Sequence, residues 1–198
     1  MIGGQDMETD IRKAKRELRR AAGESVRQLS AAERAVASVK AMALLEKQPL
    51  WRQAESILFY APMTGELDVW PMLEAALAAG KTAGLPRFDG DAQCYVACRI
   101  RDLASDVEMG RFGIREPVAQ CAGDALKRLD LILVPGVAFD LHGRRLGRGK
   151  GYYDHLLAAV SGTACAVAFD EQIVDAVPVE SHDVVLNCIL TPTRWIEL

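Results

Sequence analysis

Apolar residues at Ile11, Ala14, Leu18, Ala21 and Ala22 recur at helical spacing, so residues 10–22 are predicted to form a helix, with Gly23 as its breaker. Ser30-Ala-Ala-Glu33 has the spacing of a capping box and opens a second predicted helix that ends before Pro49. The period then changes. Residues 56–60 form a short apolar run that reads as a strand, followed by a loop over 61–65. Residues 71–79 return to helical spacing, with Pro71 in the first turn and Gly80 as the stop. Strands are expected over 82–88 and 94–100, and a turn-rich loop over 110–117.

Residues 129–134 are almost continuously apolar and end at Pro135-Gly136, as a fully buried strand of a parallel sheet reads. A loop over 137–150 and a helix over 151–160 follow, with Leu156, Leu157 and Val160 turned inward. Residues 163–169 predict another buried strand, and 184–190 and 194–198 complete the sheet. Helices alternating with apolar strands point to one α/β domain with three layers. No internal repeat, low-complexity tract or linker divides it.

The chain of 198 residues carries a net charge of −3, with half its residues hydrophobic. That balance excludes intrinsic disorder and argues against general nucleic-acid binding. No stretch approaches the roughly 20 apolar residues that span a bilayer. The first ten residues lack the basic and apolar segments of a secretory leader, so a cytoplasmic location without membrane attachment is expected. The five cysteines show no CxxC spacing and read as reduced thiols, four of them within apolar runs. The three histidines show no metal-ligand spacing.

The charge is unevenly spread. Six basic residues and one acid lie between Arg12 and Arg20, and four basic residues and no acid lie between Leu141 and Tyr153. An acidic body with two basic patches suits small polyanions. The second patch, Gly143-Arg-Arg-Leu-Gly-Arg-Gly-Lys-Gly-Tyr-Tyr-Asp154, follows a buried strand and precedes a helix. Its glycines allow close approach to the backbone N–H groups, and the helix N-terminus and basic side chains add positive potential. It therefore reads as a polyphosphate cradle at the carboxyl ends of the strands. It is neither a Walker A loop nor GxGxxG, since Arg144, Gly151 and Tyr152 stand at positions those motifs reserve for other residues. A solvated basic turn is the alternative.

Other residues admit two readings. Asp154 either stabilises the first turn of its helix or coordinates Mg²⁺ beside phosphates. Asp183 is a loop cap or a second metal ligand. Lys15 and Arg19, four apart on one helical face, are a solvated stripe or anion ligands. Glu66 becomes informative only if it lies near the basic loop.

The string Leu131-Ile-Leu-Val-Pro-Gly-Val-Ala-Phe-Asp140, then Gly143 and Arg145-Leu-Gly-Arg-Gly-Lys-Gly-Tyr-Tyr-Asp154, resembles the 5-formyltetrahydrofolate cyclo-ligase family. Lys15-Arg-Glu-Leu-Arg19, Gly65-Glu-Leu-Asp68, Leu85-Pro-Arg-Phe88, Gly113-Ile-Arg-Glu-Pro117 and Ala168-Phe-Asp-Glu-Gln172 follow the family's order. The resemblance runs from about Ile11 to Thr191.

The resemblance implies a three-layer α/β/α sandwich with a mostly parallel sheet, of the NagB/RpiA/CoA-transferase-like type. Residues 1–10 are then expected to be a disordered or variable N-terminus, and 11–198 a single cyclo-ligase domain. It implies that ATP and Mg²⁺ serve conversion of 5-formyltetrahydrofolate to 5,10-methenyltetrahydrofolate, ADP and phosphate, by a monomer. By motif position, Lys15, Arg19, Arg145, Leu146, Gly147, Arg148, Gly149, Lys150, Gly151, Tyr152 and Tyr153 would bind ATP. Tyr60, Glu66, Arg148, Gly149, Lys150, Gly151 and Tyr152 would contact the folate. Arg145, Arg148 and Lys150 would be catalytic, and Asp154 and Asp183 would hold Mg²⁺. Arg148 and Lys150 depart from many bacterial relatives, which carry an aromatic and a small residue there. A non-catalytic ligand-binding module, or a phosphosugar- or CoA-handling enzyme on a similar sheet, would share the same fold.

Overall fold

The computed structural model describes residues 3–110, 113–123, 125–180 and 183–198, with side chains from residue 9 onward. Met1, Ile2, Arg111, Phe112, Asp124, Ser181 and His182 lie outside the described residues, so the expected loop over 110–117 is described only in part.

In chain order the elements are α1 (Gly3–Gln28), α2 (Ala31–Leu45), α3 (Pro49–Gln53), β1 (Ser56–Leu58), α4 (Trp70–Ala78), β2 (Thr82–Asp89) and β3 (Cys94–Ile100). Next come α5 (Leu103–Asp106), β4 (Val107–Met109), β5 (Arg115–Pro117), a 3₁₀ turn (Ala119–Gly123), β6 (Arg128–Val134), β7 (Ala138–Phe139) and β8 (Arg145–Leu146). The chain closes with α6 (Tyr152–Ala159), β9 (Ser161–Val167), a 3₁₀ turn (Asp170–Gln172), β10 (Cys188–Leu190) and β11 (Trp195–Glu197).

A seven-stranded sheet runs in the order β11-β10-β9-β6-β1-β2-β3. Its five inner strands pair in parallel, and β3 and β11 close the two edges in antiparallel register. Side-chain alternation assigns the two faces. Ile57, Leu131 and Leu133 join Leu45, Trp51, Met72 and Leu73 from α2, α3 and α4 in one core. Leu58, Ile132 and Val134 join Leu156 and Leu157 of α6 in the other. The result is the expected α/β fold, helices lying on both faces of a mostly parallel sheet.

Strand β1 leads to β2 on one side, and β6 lies on its other side. The strand order reverses between β1 and β6, which opens a crevice at their carboxyl ends. Leu58 and Val134 mark those ends.

Several elements differ from the expected ones. Helix α1 begins at Gly3, inside the segment expected to be variable, and runs through Gly23 to Gln28. Glycine costs a helix interior only about 1 kcal/mol. Burial of Ala22 and Val26 on either side outweighs that. The capping box of α2 forms: the Ser30 hydroxyl accepts the Glu33 N–H at 3.2 Å, and the Glu33 carboxylate accepts the Ser30 N–H at 2.7 Å. Pro49 opens a further short helix, α3. The strand expected over 184–190 shortens to β10. A small hairpin, β7–β8, lies inside the expected loop over 137–150, and β5 lies inside the expected loop over 110–117, paired with β4 just before it. Among the described residues no helix is long and apolar enough to cross a membrane, and no disulfide joins the cysteines.

The β7–β8 turn is clamped by Asp140, whose side chain is wholly buried. Its carboxylate accepts backbone N–H groups from His142 (2.9 Å), Arg144 (3.1 Å) and Val177 (2.8 Å). Gly143 completes the turn at φ +77°, where a Cβ would lie 2.6 Å from the Leu186 carbonyl oxygen. Replacing Asp140 strands buried donors, each costing about 1–3 kcal/mol. Asp140→Ala is therefore expected to lower unfolding free energy by about 3 kcal/mol, read as a fall in urea midpoint at unchanged slope. A midpoint within experimental error of the parent's would show that the clamp contributes little.

Candidate active site

A cavity of about 390 Å³ opens at the carboxyl ends of β1 and β6. The residues just beyond those strands, Ala61, Met63 and Glu66 on one side and Pro135 and Gly136 on the other, line it. The whole segment from Arg145 to Asp154 also lines it, as do Lys15, Arg19 and Asp183. Every residue expected at the site except Tyr60 therefore reaches one cavity.

Tyr60 does not. Its side chain is buried in the core and its hydroxyl donates to the Leu67 carbonyl at 2.8 Å. It braces the wall that its neighbour Ala61 presents to the cavity.

Arg145 is the most enclosed cation of the site, its side chain 4% exposed. Its Nη2 donates to Asp154 Oδ1 at 2.5 Å, and its guanidinium lies 5.8 Å from the centre of the Tyr153 ring. Its Nε is buried with no hydrogen-bond partner among the described residues. Two glycines make room for this side chain. A Cβ at Gly136 would approach Arg145 Cγ at 3.1 Å, and one at Gly147 would approach Nη1 at 3.1 Å. The glycine spacing thus serves a buried arginine as well as close approach to the backbone.

Helix α1 places Lys15 and Arg19 over this loop. Arg19 Nε donates to the Gly147 carbonyl at 2.8 Å. The Lys15 ammonium donates to Glu180 at 2.7 Å and to Asp183 at 2.9 Å. Burial works to lower the Lys15 pKa, but these two carboxylates outweigh it and hold the ammonium above its ordinary value. Arg148 Nη2 donates to Glu66 Oε1 at 2.8 Å, and Glu66 Oε2 accepts the Met63 N–H at 2.9 Å.

The cavity also has an aromatic wall. Tyr95 meets the Tyr152 ring at 5.6 Å and the Tyr153 ring at 5.9 Å, with Phe88 behind at 5.7 Å from Tyr95. Burial, followed by the charge of Glu66, pushes the Tyr153 phenol well above its ordinary range. Burial and the nearby Glu116 raise Tyr95. Both hydroxyls stay protonated at neutral pH and can donate.

The cavity thus combines cations suited to phosphates with tyrosine rings suited to a flat ring, and the charge of Glu66 acts on Tyr95 and Tyr153. Asp154 and Asp183 offer hard oxygen donors beside the cations, each already paired with a basic side chain. Among the described residues no cluster of three or more metal-ligating side chains forms. Carboxylates of this kind are the donors Mg²⁺ takes, with water and substrate phosphates completing its octahedron.

Glu180, Tyr95, Met63 and Ile114 also line the cavity and are absent from the expected site. Glu180 carries no local motif. Tyr95 sits on the edge strand β3, where alternation alone does not tell a ligand-facing ring from a core one.

The 5-formyltetrahydrofolate cyclo-ligase family model matches residues 11–192. The 5-formyltetrahydrofolate cyclo-ligase of Mycolicibacterium smegmatis is 34% identical over 151 residues, covering 71% of this chain and 75% of its own. The mouse enzyme of that name is 29% identical over 196 residues, covering 91% and 94%. The NMR structure of Aquifex aeolicus 5,10-methenyltetrahydrofolate synthetase superposes with a TM-score of 0.82 at 34% identity, covering 93% of this chain and 92% of that one. With the family model spanning nearly its whole length, the chain belongs to the 5-formyltetrahydrofolate cyclo-ligase family.

Proposed function

We propose that the protein uses ATP and Mg²⁺ to close 5-formyltetrahydrofolate into 5,10-methenyltetrahydrofolate. The observation that carries this reading is one cavity lined by both cations and tyrosine rings, with the Arg145–Asp154 segment contributing to each. Such a cavity can hold a polyphosphate and a pterin-like ring against each other.

The formyl oxygen of an amide is a poor leaving group. Its attack on the γ-phosphorus forms an O–P bond, breaks the bond to ADP and activates the formyl carbon. The N10 lone pair then attacks that carbon, N10 loses its proton, and the C–O bond breaks to release phosphate. Phosphoryl transfer asks mainly for positioning and charge neutralisation. Lys15, Arg19, Arg145 and Lys150 supply the charge. Arg145 is held by its surroundings, so it meets the transition state without reorganising. Bound Mg²⁺ would add charge neutralisation at the phosphates, held by Asp154 and Asp183. Glu66 would accept N–H groups of the pterin, and Tyr95, Tyr152 and Tyr153 would pack on or beside the ring. One chain supplies both the cations and the rings of the cavity, so no second subunit is required.

Absorbance of the methenyl product is expected to appear from 5-formyltetrahydrofolate only when ATP and Mg²⁺ are both present. Its absence at high enzyme concentration would overturn the proposal. Lys15→Ala combined with Arg19→Ala is expected to raise the KM for ATP about tenfold or more, because two cations go and Glu180 and Asp183 are left facing the phosphates. An unchanged KM would return that face of α1 to a structural role.

Asp154→Asn removes the counter-ion of a buried arginine, so unfolding free energy is expected to fall by about 2 kcal/mol. If Asp154 also ligates the metal, the Mg²⁺ concentration for half-maximal rate rises about tenfold or more in the folded variant. A loss of stability with unchanged Mg²⁺ dependence would make it a counter-ion alone.

A further inference from the structure

Arg148 and Glu66 form the one ion pair that joins the glycine loop to the chain beyond β1 among the described residues. Its partners differ in freedom. Glu66 is 7% exposed and anchored at its other oxygen by the Met63 N–H, whereas Arg148 is 49% exposed. Gly147 and Gly149 flank Arg148, and Gly149 stands at φ +97°. The same two residues sit against Arg19. Its Nε binds the Gly147 carbonyl, and its guanidinium lies 3.5 Å from where a Cβ on Gly149 would be. An anion seated on Arg19 is thus a close neighbour of the Arg148 backbone.

We propose that the Arg148–Glu66 pair is a latch that couples binding of a polyphosphate to binding of a ring ligand in the cavity. Arg148 occupies the carboxylate oxygen that a substrate N–H donor needs, so the ring ligand must compete with it. A polyphosphate on the cations competes for Arg148 in turn. It offers several negative charges against the single one on Glu66, with oxygens that match a guanidinium fork. Drawing Arg148 to the phosphates uncovers Glu66. Nucleotide then favours folate, and by reciprocity folate favours nucleotide by the same factor. Glu66 stays in place throughout, because its backbone contact to Met63 does not depend on Arg148.

This inference rests on the cyclo-ligase reading for the identity of the two ligands. Its test measures equilibrium dissociation constants for 5-formyltetrahydrofolate, with and without a non-hydrolysable ATP analogue plus Mg²⁺. The parent protein is compared with Arg148→Met, which keeps a long stem and loses the charge. In the parent the analogue is expected to tighten folate binding about fivefold to tenfold. In Arg148→Met, folate is expected to bind more tightly than to the parent without nucleotide, and the coupling to fall to about one. Glu66→Gln is expected to weaken folate binding in both conditions and to show little coupling.

Folate binding in the parent that is indifferent to the analogue overturns the latch while leaving the cyclo-ligase reading intact. Weaker folate binding by Arg148→Met without nucleotide also overturns it, since Arg148 then supports the folate directly. Absence of folate binding to the parent under both conditions overturns the reading beneath it as well. Thermal unfolding of both variants near the parent temperature secures the comparison.

Discussion

Arg145 brings a guanidinium into a place where water scarcely reaches it, and much of the local architecture answers that demand. Desolvating such an ion costs several kcal/mol, which only a close counter-charge and further polar contacts offset. Asp154, in the first turn of α6, supplies the counter-charge, and the Tyr153 ring face lies nearby. Gly136 and Gly147 leave out the Cβ atoms that would crowd the side chain. The Asp140 clamp holds the hairpin that carries Arg145. A charge set this firmly keeps its orientation when a ligand arrives.

The basic residues of the loop look alike as a string and behave differently in the fold. Arg145 is enclosed, while Arg148 and Lys150 are exposed. Arg144 points toward Asp140, at 3.9 Å. One segment therefore offers a fixed cation, exposed cations and a structural one. Phosphoryl transfer benefits from the first, and exchange of ligands benefits from the second. Glycines between them let neighbouring residues take these separate parts.

Much of the fold was legible because the inner strands are buried on both faces. Residues 131–134 read as a continuous apolar run and are a central strand. The helical spacing of Lys15 and Arg19 likewise survives, although spacing cannot show that Glu180 and Asp183 wait opposite Lys15. Asp154 stood between two roles because its main partner, Arg145, lies nine residues earlier, beyond any helical repeat. Tyr60 and Ala61 sit where the strand ends and alternation fails, so their directions depend on the turn that follows. The hairpins β4–β5 and β7–β8 have strands of two or three residues, too short to show a period. Gly23 misled because local propensity is weaker than the burial of Ala22 and Val26 beside it.

Helix α1 also bears on how the molecule comes to completion. Lys15 meets Glu180 and Asp183 across sequence separations of 165 and 168 residues. Contacts so distant must overcome the entropy of closing a very long loop. On a ribosome the early helix exists long before the carboxylates that receive it have been made. A cavity lined from both sides of that junction has its full set of charges only once Glu180 and Asp183 have been added.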